Sequence, residues 1–411
     1  MSAFSLSAQA DLGLIKKETP SQRILEVSVT APLAQKNEQR PGLNLALVLD
    51  RSGSMIGEKI EFVKKAATHV TDLLEEKDTL ALVAYDQEVL SLSPSVPINQ
   101  AARAELRALV DRIESGGMTN LSGGWLQGCQ FVATAAAEGL VNRVLLLTDG
   151  LANVGITDME VLGNHARQLH NRGVSTSTFG VGDGYNEHLL ELMANQGGGN
   201  FYFIASPQEI PIIFAHELSE LAAITARAVE VEVELPPHVD VQLLAGWKQQ
   251  QEGNRLKVWL GDLASGQSRQ IYLRLLTPPQ EKLPALEIRL TARARKENEA
   301  FYEEKTTLTL KYANPQEIQA ARPDQSLMSR FSEVEVAEAA NEALKLESKG
   351  ERAHARQVLD QALAAAAPHI SPQKSAEYQS LADKIQEGLN AEQHKLHHYR
   401  NYQDRQRRSQ R

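Results

Sequence analysis

The chain has 411 residues, of which 42% are hydrophobic and 23% are charged. That length predicts two or three domains, and the composition is typical of a soluble globular protein. Its 43 basic and 52 acidic residues give a formal net charge of −9. This balance argues against general affinity for nucleic acid, which needs a basic surface, so we expect no nucleic acid among its partners.

The single cysteine, Cys129, excludes an intrachain disulfide and fits a reducing compartment. It lies in an apolar helical pattern and is predicted to be a small core residue. Residues 1–6 contain neither a basic segment nor a long apolar one, so we expect no signal peptide. No stretch is long and apolar enough to span a bilayer. These features predict a cytoplasmic protein without a membrane span.

Strand-like alternation begins within residues 1–40. Apolar residues alternate with polar ones near Phe4 and again at Leu25, Val27 and Val29. Two strands separated by a polar turn fit this pattern best, and these strands need a sheet to join.

An apolar run at residues 43–49 ends in Asp50, and two hydroxyls follow at alternate positions, Ser52 and Ser54. The run is too short for a membrane helix and predicts a strand buried on both faces. Such strands end at a sheet edge where ligand crevices lie, and hard oxygens there suit Mg2+ or Mn2+. By itself, however, the pattern also fits a strand end followed by a helix cap.

Two later stretches add oxygen-bearing side chains. Residues 116–124 form a Gly-rich loop with a hydroxyl, and a second buried strand at 144–148 ends in an acid. Two carboxylates and three hydroxyls from three loops would then meet at the ends of buried strands. The predicted ligands of Mg2+ or Mn2+ are Asp50, Ser52, Ser54, Thr119 and Asp149.

This constellation resembles the metal-ion-dependent adhesion site of von Willebrand factor type A (VWA) domains, of the bacterial cytoplasmic kind. The resemblance covers about residues 41–226 and includes the flanking stretches 180–183 and 197–202. It implies an α/β fold with a doubly wound, mainly parallel sheet, which the alternation of strands with helices also predicts.

In that family the two serines and the threonine contact the metal, while the acids act through water or hydrogen bonds. By resemblance, Ser52, Ser54 and Thr119 would be direct ligands, and one metal position would stay open for an Asp or Glu of a partner protein. The resemblance thus implies a non-enzymatic, metal-dependent protein-binding module. It also implies coupling to movement of the Thr119 loop and of the last helix of the domain, residues 208–221.

Two alternatives remain open. A Mg2+ ion at the end of a parallel sheet can activate water, as in a metal-dependent phosphohydrolase, although no general base is evident in the sequence near the site. Some cytoplasmic relatives are thought to be adaptors for AAA+ ATPases, in which case the C-terminal helices would form the docking arm. No phosphate-binding Gly-x-x-x-x-Gly-Lys loop is present, which argues against NTP hydrolysis.

Within residues 41–226, hydrophobic periodicity separates helices from strands. Besides the run at 43–49, strands are predicted at 79–85, 87–92 (an antiparallel edge), 144–148, 175–181 and 200–204. Helices are predicted at 60–77, 101–113, 121–137, 159–171, 186–193 and 208–221.

The pattern changes at Arg227 to short alternating strands without a helical period. We predict an antiparallel β-sandwich over residues 227–313. The strands of residues 1–40 are predicted to complete it, so that the α/β domain is inserted between two halves of the sandwich.

After a linker at 313–322, residues 323–411 are predicted to be a helical region. Helical stretches on either side of Gly350 faintly resemble one tetratricopeptide hairpin, and a further helix is predicted at 373–396.

The end of the chain, residues 395–411, contains six basic residues against Asp404. It is interpreted as a frayed solvated end or as an electrostatic arm for a partner. Three histidines, His394, His397 and His398, are predicted to lie on an exposed polar helix and not to bind zinc.

A few further residues are candidates for the same sheet edge. Asp86 and Asp183 follow strands, although turn or cap residues are the simpler interpretation. Arg51 and Met55 flank the predicted ligands and would shape the choice of partner. Trp125 is predicted to be a core residue.

Overall fold

A computed structural model describes residues 4–34, 40–137, 139–280, 283–295 and 301–406. The chain divides into two compact units, Ala34–Ile224 and the combination of Met1–Leu33 with Thr225–Arg411. The first unit is therefore inserted in sequence between two segments of the second.

Three strands precede the inserted unit: β1 (Ser5–Ala10), β2 (Leu14–Lys16) and β3 (Ser21–Thr30). The sequence predicts two strands here, and the short β2 is the one it misses.

The inserted unit alternates strands with helices. Its strands are β4 (Leu43–Asp50), β5 (Thr79–Tyr85), β6 (Val89–Pro97), β7 (Val141–Thr148), β8 (Ser175–Val181) and β9 (Gly198–Ile204). Its helices are α1 (Glu58–Leu73), α2 (Gln100–Asp111), α3 (Leu121–Thr134), α4 (Met159–Asn171), α5 (Glu187–Gln196) and α6 (Ile210–Ala222).

These strands form one sheet in the order β6-β5-β4-β7-β8-β9. Only β6, at one edge, pairs antiparallel within this sheet, with β5; the other pairings are parallel. All eight residues of β4 are buried, because helices cover both faces of a doubly wound sheet. The predicted α/β fold is confirmed.

The strand order places the candidate site. From β4 the chain proceeds to β5 and β6 on one side and to β7, β8 and β9 on the other. The direction of winding thus reverses between β4 and β7, and ligands of such sheets bind beyond the carboxyl ends of the strands at this point. Asp50 ends β4, and Asp149 directly follows β7.

After the insertion come β10 (Ile224–Glu234), β11 (Asp240–Leu243), β12 (Gln249–Glu252), β13 (Arg255–Ala264), β14 (Ser268–Thr277), β15 (Ala285–Arg295) and β16 (Phe301–Ala313). With the N-terminal strands they form two sheets, β1-β3-β14-β11 and β12-β13-β10-β15-β16-β2. Buried apolar residues of both sheets, such as Val27, Ile271, Val231 and Ile288, share one core.

The helices that follow are α7 (Pro315–Ala320), α8 (Gln325–Ser348), α9 (Arg352–Ala366), α10 (Pro372–Glu387) and α11 (Ala391–Gln406). The first half of α8 packs into the sandwich core through Leu327, Phe331 and Val334. Its second half packs with α9 and α10 in a separate apolar core. None of the helices in the described ranges is long and apolar enough to cross a membrane.

The C-terminal region departs from the sequence-based expectation in two places. The linker at 313–322 contains the capped helix α7. The single helix predicted at 373–396 is two helices, because Gly388 adopts a φ of +102° after α10 and ends it.

The terminal helix is not an exposed polar helix. In α11, His397, His398, Lys395 and Arg405 are all less than 9% exposed, since a helix that packs on its neighbours buries whatever residues its inner face carries. Residues 391–406 are thus ordered helix and not a frayed end. The remaining basic residues of the predicted arm, Arg407, Arg408 and Arg411, lie outside the described residues.

Candidate metal centre

Asp50 is fully buried at the end of β4 and accepts two hydrogen bonds. The backbone N–H of Ser52 donates to its Oδ1 at 2.8 Å, and the hydroxyl of Thr148 donates to its Oδ2 at 2.5 Å. Burial is the main cause that raises the pKa of Asp50, the hydrogen bonds oppose this rise, and the charge of Asp149 adds to it. A cation at this edge would therefore relieve a carboxylate that is poorly solvated.

A chain of short contacts links the first loop to Asp149. The Ser52 and Ser54 hydroxyl oxygens lie 3.1 Å apart, and Ser54 donates to Asp149 Oδ1 at 2.7 Å. Asp149 is fully buried and Ser52 is 1% exposed, whereas Ser54 is exposed. The acids therefore lie deep, and a hydroxyl stands between Asp149 and the solvent.

Gly150 reveals where the three hydroxyls converge. A Cβ atom on this glycine would lie 3.3 Å from Ser54 Oγ, 3.4 Å from Thr119 Oγ1 and 3.8 Å from Ser52 Oγ. The three hydroxyl oxygens therefore all lie close to Gly150, on the side where this residue has no side chain. The structure thus brings together all five of the side chains that the sequence predicts as ligands.

Backbone hydrogen bonds join the loop after β4 to the Gly-rich loop. Gly53 N–H donates to Gly117 C=O at 2.9 Å, and Gly116 N–H donates to Arg51 C=O at 2.7 Å. A Cβ on Gly53 would approach the carbonyl oxygen of Gly116 to 3.1 Å, so a side chain there would crowd this junction. The serines and Thr119 are thus carried on loops that are tied to each other.

Thr119 is held by the loop after β7. The Asn153 side chain accepts from Thr119 N–H at 2.7 Å, and the N–H groups of Asn153 and Val154 both donate to Thr119 C=O at 3.1 Å. The sequence analysis misses Asn153, because nothing in the local pattern shows that its loop reaches the Gly-rich loop.

Asp86 supports the loops but is not among the converging side chains. It forms an ion pair with Arg51 at 2.8 Å and accepts from Gly117 N–H at 3.1 Å. Arg51 is therefore occupied inside the protein. Asp183 is exposed, and Trp125 is a core residue, as predicted, whose indole N–H donates to Thr176 at 3.1 Å.

Lys59 is a charged neighbour of the site that the sequence analysis does not identify. Its ammonium forms an ion pair with Asp149 Oδ2 at 2.7 Å. It occupies the second position of α1, immediately after the first loop. Its distance of five residues from Ser54 is a signal that could have drawn attention to it.

The two remaining predictions about metal-binding residue types concern cysteine and histidine. Cys129 is buried, as expected, and burial raises the pKa of its thiol. No cluster of three or more His, Cys, Asp and Glu side chains suited to a metal occurs in the described part of the chain. The five predicted ligands, which we call the oxygen cage, include only two carboxylates and three hydroxyls. They therefore do not form a cluster of acids, histidines or cysteines.

Large apolar side chains are exposed on each of the three loops that carry the cage. Ile56 is 70% exposed, Met118 54% and Leu151 56%. Each lies within two residues of a predicted ligand in sequence, so all three loops that carry the predicted ligands also carry exposed apolar surface.

The donor set fits a small hard cation. Hydroxyl and carboxylate oxygens are the ligands that Mg2+ and Mn2+ prefer. Both acids are already hydrogen-bonded within the protein, while the three hydroxyl oxygens lie together beside Gly150. Ser52, Ser54 and Thr119 would hold the ion, with Asp50 and Asp149 behind them.

Comparison with known proteins places the α/β unit in a family. A profile of the von Willebrand factor type A domain matches residues 44–216. An uncharacterized Escherichia coli protein, YfbK, is 32% identical over 216 residues, which cover 52% of this chain. An uncharacterized protein of Synechocystis is 32% identical over 286 residues, or 66% of this chain. The chain spans 37% and 66% of these relatives' own lengths.

A human relative matches over part of the chain, and two solved structures match over nearly the whole chain. The human inter-alpha-trypsin inhibitor heavy chain H3 is 32% identical over 38% of this chain and 18% of its own length. A VWA protein from Catenulispora acidiphila has a TM-score of 0.70, 14% identity and coverage of 95% and 97% of the two chains.

The ArnB paralog VWA2 from Sulfolobus acidocaldarius has a TM-score of 0.62 with 16% identity, and the match covers 99% of both chains. At such identities the likeness concerns the fold alone. Together with the family profile and the sequence relatives, it shows that the chain belongs to the proteins that carry a von Willebrand factor type A domain.

Proposed function

We propose that the chain is a metal-dependent protein-binding module whose VWA domain captures a partner carboxylate through Mg2+ or Mn2+. Ser52, Ser54 and Thr119 hold the ion, and Asp50 and Asp149 balance its charge and orient bound water. The ion supplies an electrophilic position that an Asp or Glu side chain of the partner completes.

One observation carries this proposal, the convergence of three hydroxyl oxygens within 3.8 Å of the point that a Cβ of Gly150 would occupy. Two buried acids lie directly behind these hydroxyls. Neutral ligands leave most of the cation's charge available to a partner, whereas a cage of carboxylates would cancel it. The site is also open to solvent, because Ser54 is exposed.

The surroundings support a protein as the partner. VWA domains commonly act as protein-interaction modules, and Ile56, Met118 and Leu151 expose apolar surface on the three loops of the site. An acidic side chain that is flanked by apolar residues on the partner would match both features, since apolar contacts around a charged centre are typical of interface anchors.

Binding is favoured over catalysis by the way the acids are engaged. Asp50 accepts from Ser52 and Thr148, and Asp149 accepts from Ser54 and Lys59. A general base must accept a proton from water or substrate, and all four carboxylate oxygens already accept hydrogen bonds from the protein. We therefore propose that the protein is not a hydrolase. We also propose that it is cytoplasmic, because a single cysteine fits a reducing compartment.

Metal binding is tested by titrating Mn2+ into the protein and measuring free Mn2+ by electron paramagnetic resonance. Thr119→Val keeps the shape of the side chain but removes the hydroxyl, and we expect it to weaken Mn2+ binding by about tenfold or more. Thr134→Val is the matched control, because Thr134 is an exposed threonine at the end of α3 whose hydroxyl bonds to Gln130 C=O. Equal affinities of both variants for Mn2+ would refute the assignment of the site.

Partner binding is tested by affinity capture with wild type, with wild type plus EDTA, and with Asp50→Ala. Partners lost in both of the latter conditions support metal-bridged binding. Leu151→Ser should also weaken capture, whereas Ile212→Ser, which removes an equally apolar side chain that is 73% exposed on α6, should not. A partner list unchanged by EDTA contradicts the proposal.

The same experiments separate the alternatives. Mg2+-dependent turnover of generic phosphate esters, lost in Thr119→Val, would favour a phosphohydrolase. Metal-dependent capture of an AAA+ ATPase would identify the protein as an adaptor, which is one form of the proposed binding function.

A further inference from the structure

A lysine ammonium is built into the candidate metal centre. Lys59 Nζ lies 2.7 Å from Asp149 Oδ2, while Ser54 occupies the other oxygen of the same carboxylate at 2.7 Å. Asp149 is fully buried, and the Lys59 side chain is 29% exposed. The ion pair is therefore largely withdrawn from water, where a charge acts more strongly than on an open surface.

The fold leaves room for this ammonium through two glycines after β8. A Cβ on Gly182 would lie 3.2 Å from Lys59 Cε and 3.7 Å from its Nζ, and one on Gly184 would lie 4.0 Å from Nζ. Gly182 also adopts a φ of +68°, a conformation that favours glycine. The Gly-Val-Gly-Asp-Gly stretch thus forms one wall of the Lys59 position.

We propose that Lys59 is a positioning residue that sets the charge of the loaded site, so that metal affinity is restrained and capture of a carboxylate is strengthened. This inference rests on the metal site proposed above. Asp50 and Asp149 contribute two negative charges, and Lys59 returns one positive charge. A bound divalent cation would therefore leave the group with one net positive charge, whereas the same site without Lys59 would be neutral.

Neighbouring charges do not replace this effect. Arg51 is paired with Asp86 at 2.8 Å, and Glu58 and Asp183 are exposed, where water screens them. Lys59 therefore lowers the affinity for the metal ion, which it repels, and raises the affinity for the partner's carboxylate, which it attracts.

The test measures both steps in one set of variants. Mn2+ affinity is read from the free-ion signal in electron paramagnetic resonance. Carboxylate affinity is read by titrating acetate into the Mn2+-loaded protein and following the paramagnetic broadening of the acetate methyl resonance. Lys59→Met should raise Mn2+ affinity and lower acetate affinity, each by about three- to thirtyfold for one partly buried charge.

Lys65→Met is the matched control, because Lys65 is exposed on the same helix; it should change either affinity less than about twofold. Lys59→Arg retains the charge and should bind Mn2+ and acetate more nearly as wild type does. Circular dichroism verifies folding, and Lys59→Gln, which keeps a hydrogen-bond donor without the charge, serves if the methionine variant is unfolded.

The opposite movement of the two affinities is the signature, since loss of a structural contact would weaken both. A parallel loss of both affinities in Lys59→Met and Lys59→Gln, or no change in either, overturns the inference while wild-type Mn2+ binding preserves the proposed function. A wild type that binds no Mn2+ overturns both.

Discussion

The VWA domain buries several carboxylates, and two of the places where it does so contrast with each other. At the carboxyl ends of β4 and β7, Asp50 and Asp149 lie behind the hydroxyls of the candidate metal centre. Beside β8 and β9, Glu217 of α6 is also fully buried. It accepts hydrogen bonds from Ser177 at 2.5 Å, Asn200 at 2.7 Å and Tyr202 at 2.8 Å.

The two clusters differ in what stands beside the carboxylate. Around Glu217 all these groups donate to the acid, and the Arg143 guanidinium lies 4.0 Å from it. At the candidate metal centre three hydroxyl oxygens lie together beside Gly150 instead, and one of them belongs to the exposed Ser54. A buried acid therefore does not mark a binding site by itself; the distinguishing feature is a set of hydroxyl oxygens beside it, one of which is on an exposed residue.

We call the Glu217 group the closed cluster and the candidate metal centre the open cluster. The largest expected effect comes from removing the acid of the closed cluster. Glu217→Ala removes the acceptor of three hydrogen bonds and a charge 4.0 Å from the buried Arg143 guanidinium, and loss of one partner of a buried pair costs roughly 3–5 kcal/mol. Urea unfolding measures this loss. Glu105→Ala is the control, because Glu105 is a glutamate of the same domain that is exposed on α2. A change of less than about 1 kcal/mol in Glu217→Ala would contradict the structural role of the cluster.

The open cluster should instead gain stability from its ligand. At a Mg2+ concentration one hundred times the dissociation constant, binding to the folded state adds about 2.7 kcal/mol to the free energy of unfolding. Urea titrations in Mg2+ and in EDTA measure the difference. Thr119→Val should lower this gain to about 1.4 kcal/mol or less, as tenfold weaker binding requires, and Ser177→Ala should keep it. An equal gain in both variants would place the ion elsewhere.

Two serine substitutions sharpen the comparison further. Ser177→Ala removes a donor from buried Glu217 and should cost roughly 1–3 kcal/mol of stability with little effect on Mn2+ affinity. Ser54→Ala removes a donor to Asp149, but from an exposed residue whose place water can take. It should cost less than about 1 kcal/mol without metal, while Mn2+ affinity falls by about tenfold or more. If Ser177→Ala lowered Mn2+ affinity and Ser54→Ala lowered only stability, the assignment of the metal site to the open cluster would be wrong.

Much of the open cluster could be predicted from the sequence because its positions follow from strand ends. β5, α4 and β8 match their predicted bounds residue for residue. β5 is a nearly continuous apolar run and α4 a periodic one, whereas β8 is rich in β-branched residues and lies between two glycines. Once β4 and β7 are parallel neighbours, Asp50 and Asp149 must come together. The closed cluster has no such signal, because Glu217 lies on a helix whose polar face ordinarily points to water.

Residues that act across loops were beyond the sequence. Asn153 reaches Thr119 only because the loop after β7 packs beside the Gly-rich loop, and no local pattern encodes that packing. Lys59 lies close to Ser54 in sequence, but its pairing with Asp149 likewise depends on contact with the end of β7. The burial of α11 was missed for the same reason: its sequence is polar all round, and the surfaces that cover His397 belong to other helices. Metal binding itself stays a prediction, because the structure brings the predicted ligands together but contains no ion.

The smallest expected effect concerns His397, a buried polar group that differs from both clusters in having cationic neighbours. Burial, and then the charges of Lys384, Arg400 and His394, lower the pKa of His397 to about 4. The unfolded chain, with a pKa near 6.5, binds the proton more tightly, so stability falls as the pH drops below about 6.5 and toward 4. Between pH 7.5 and 5.5 the loss should be about 1 kcal/mol.

Urea unfolding at these two pH values measures this loss, and His397→Gln should remove it. His354→Gln, at a histidine whose side chain is 58% exposed, should leave it unchanged. A wild-type loss that persists in His397→Gln would assign the pH dependence to other groups. Disappearance of the loss would show that His397 is stable at its buried position only in the neutral form. Glu217 differs because three hydrogen-bond donors surround it, and the candidate metal centre differs because a cation would balance its acids.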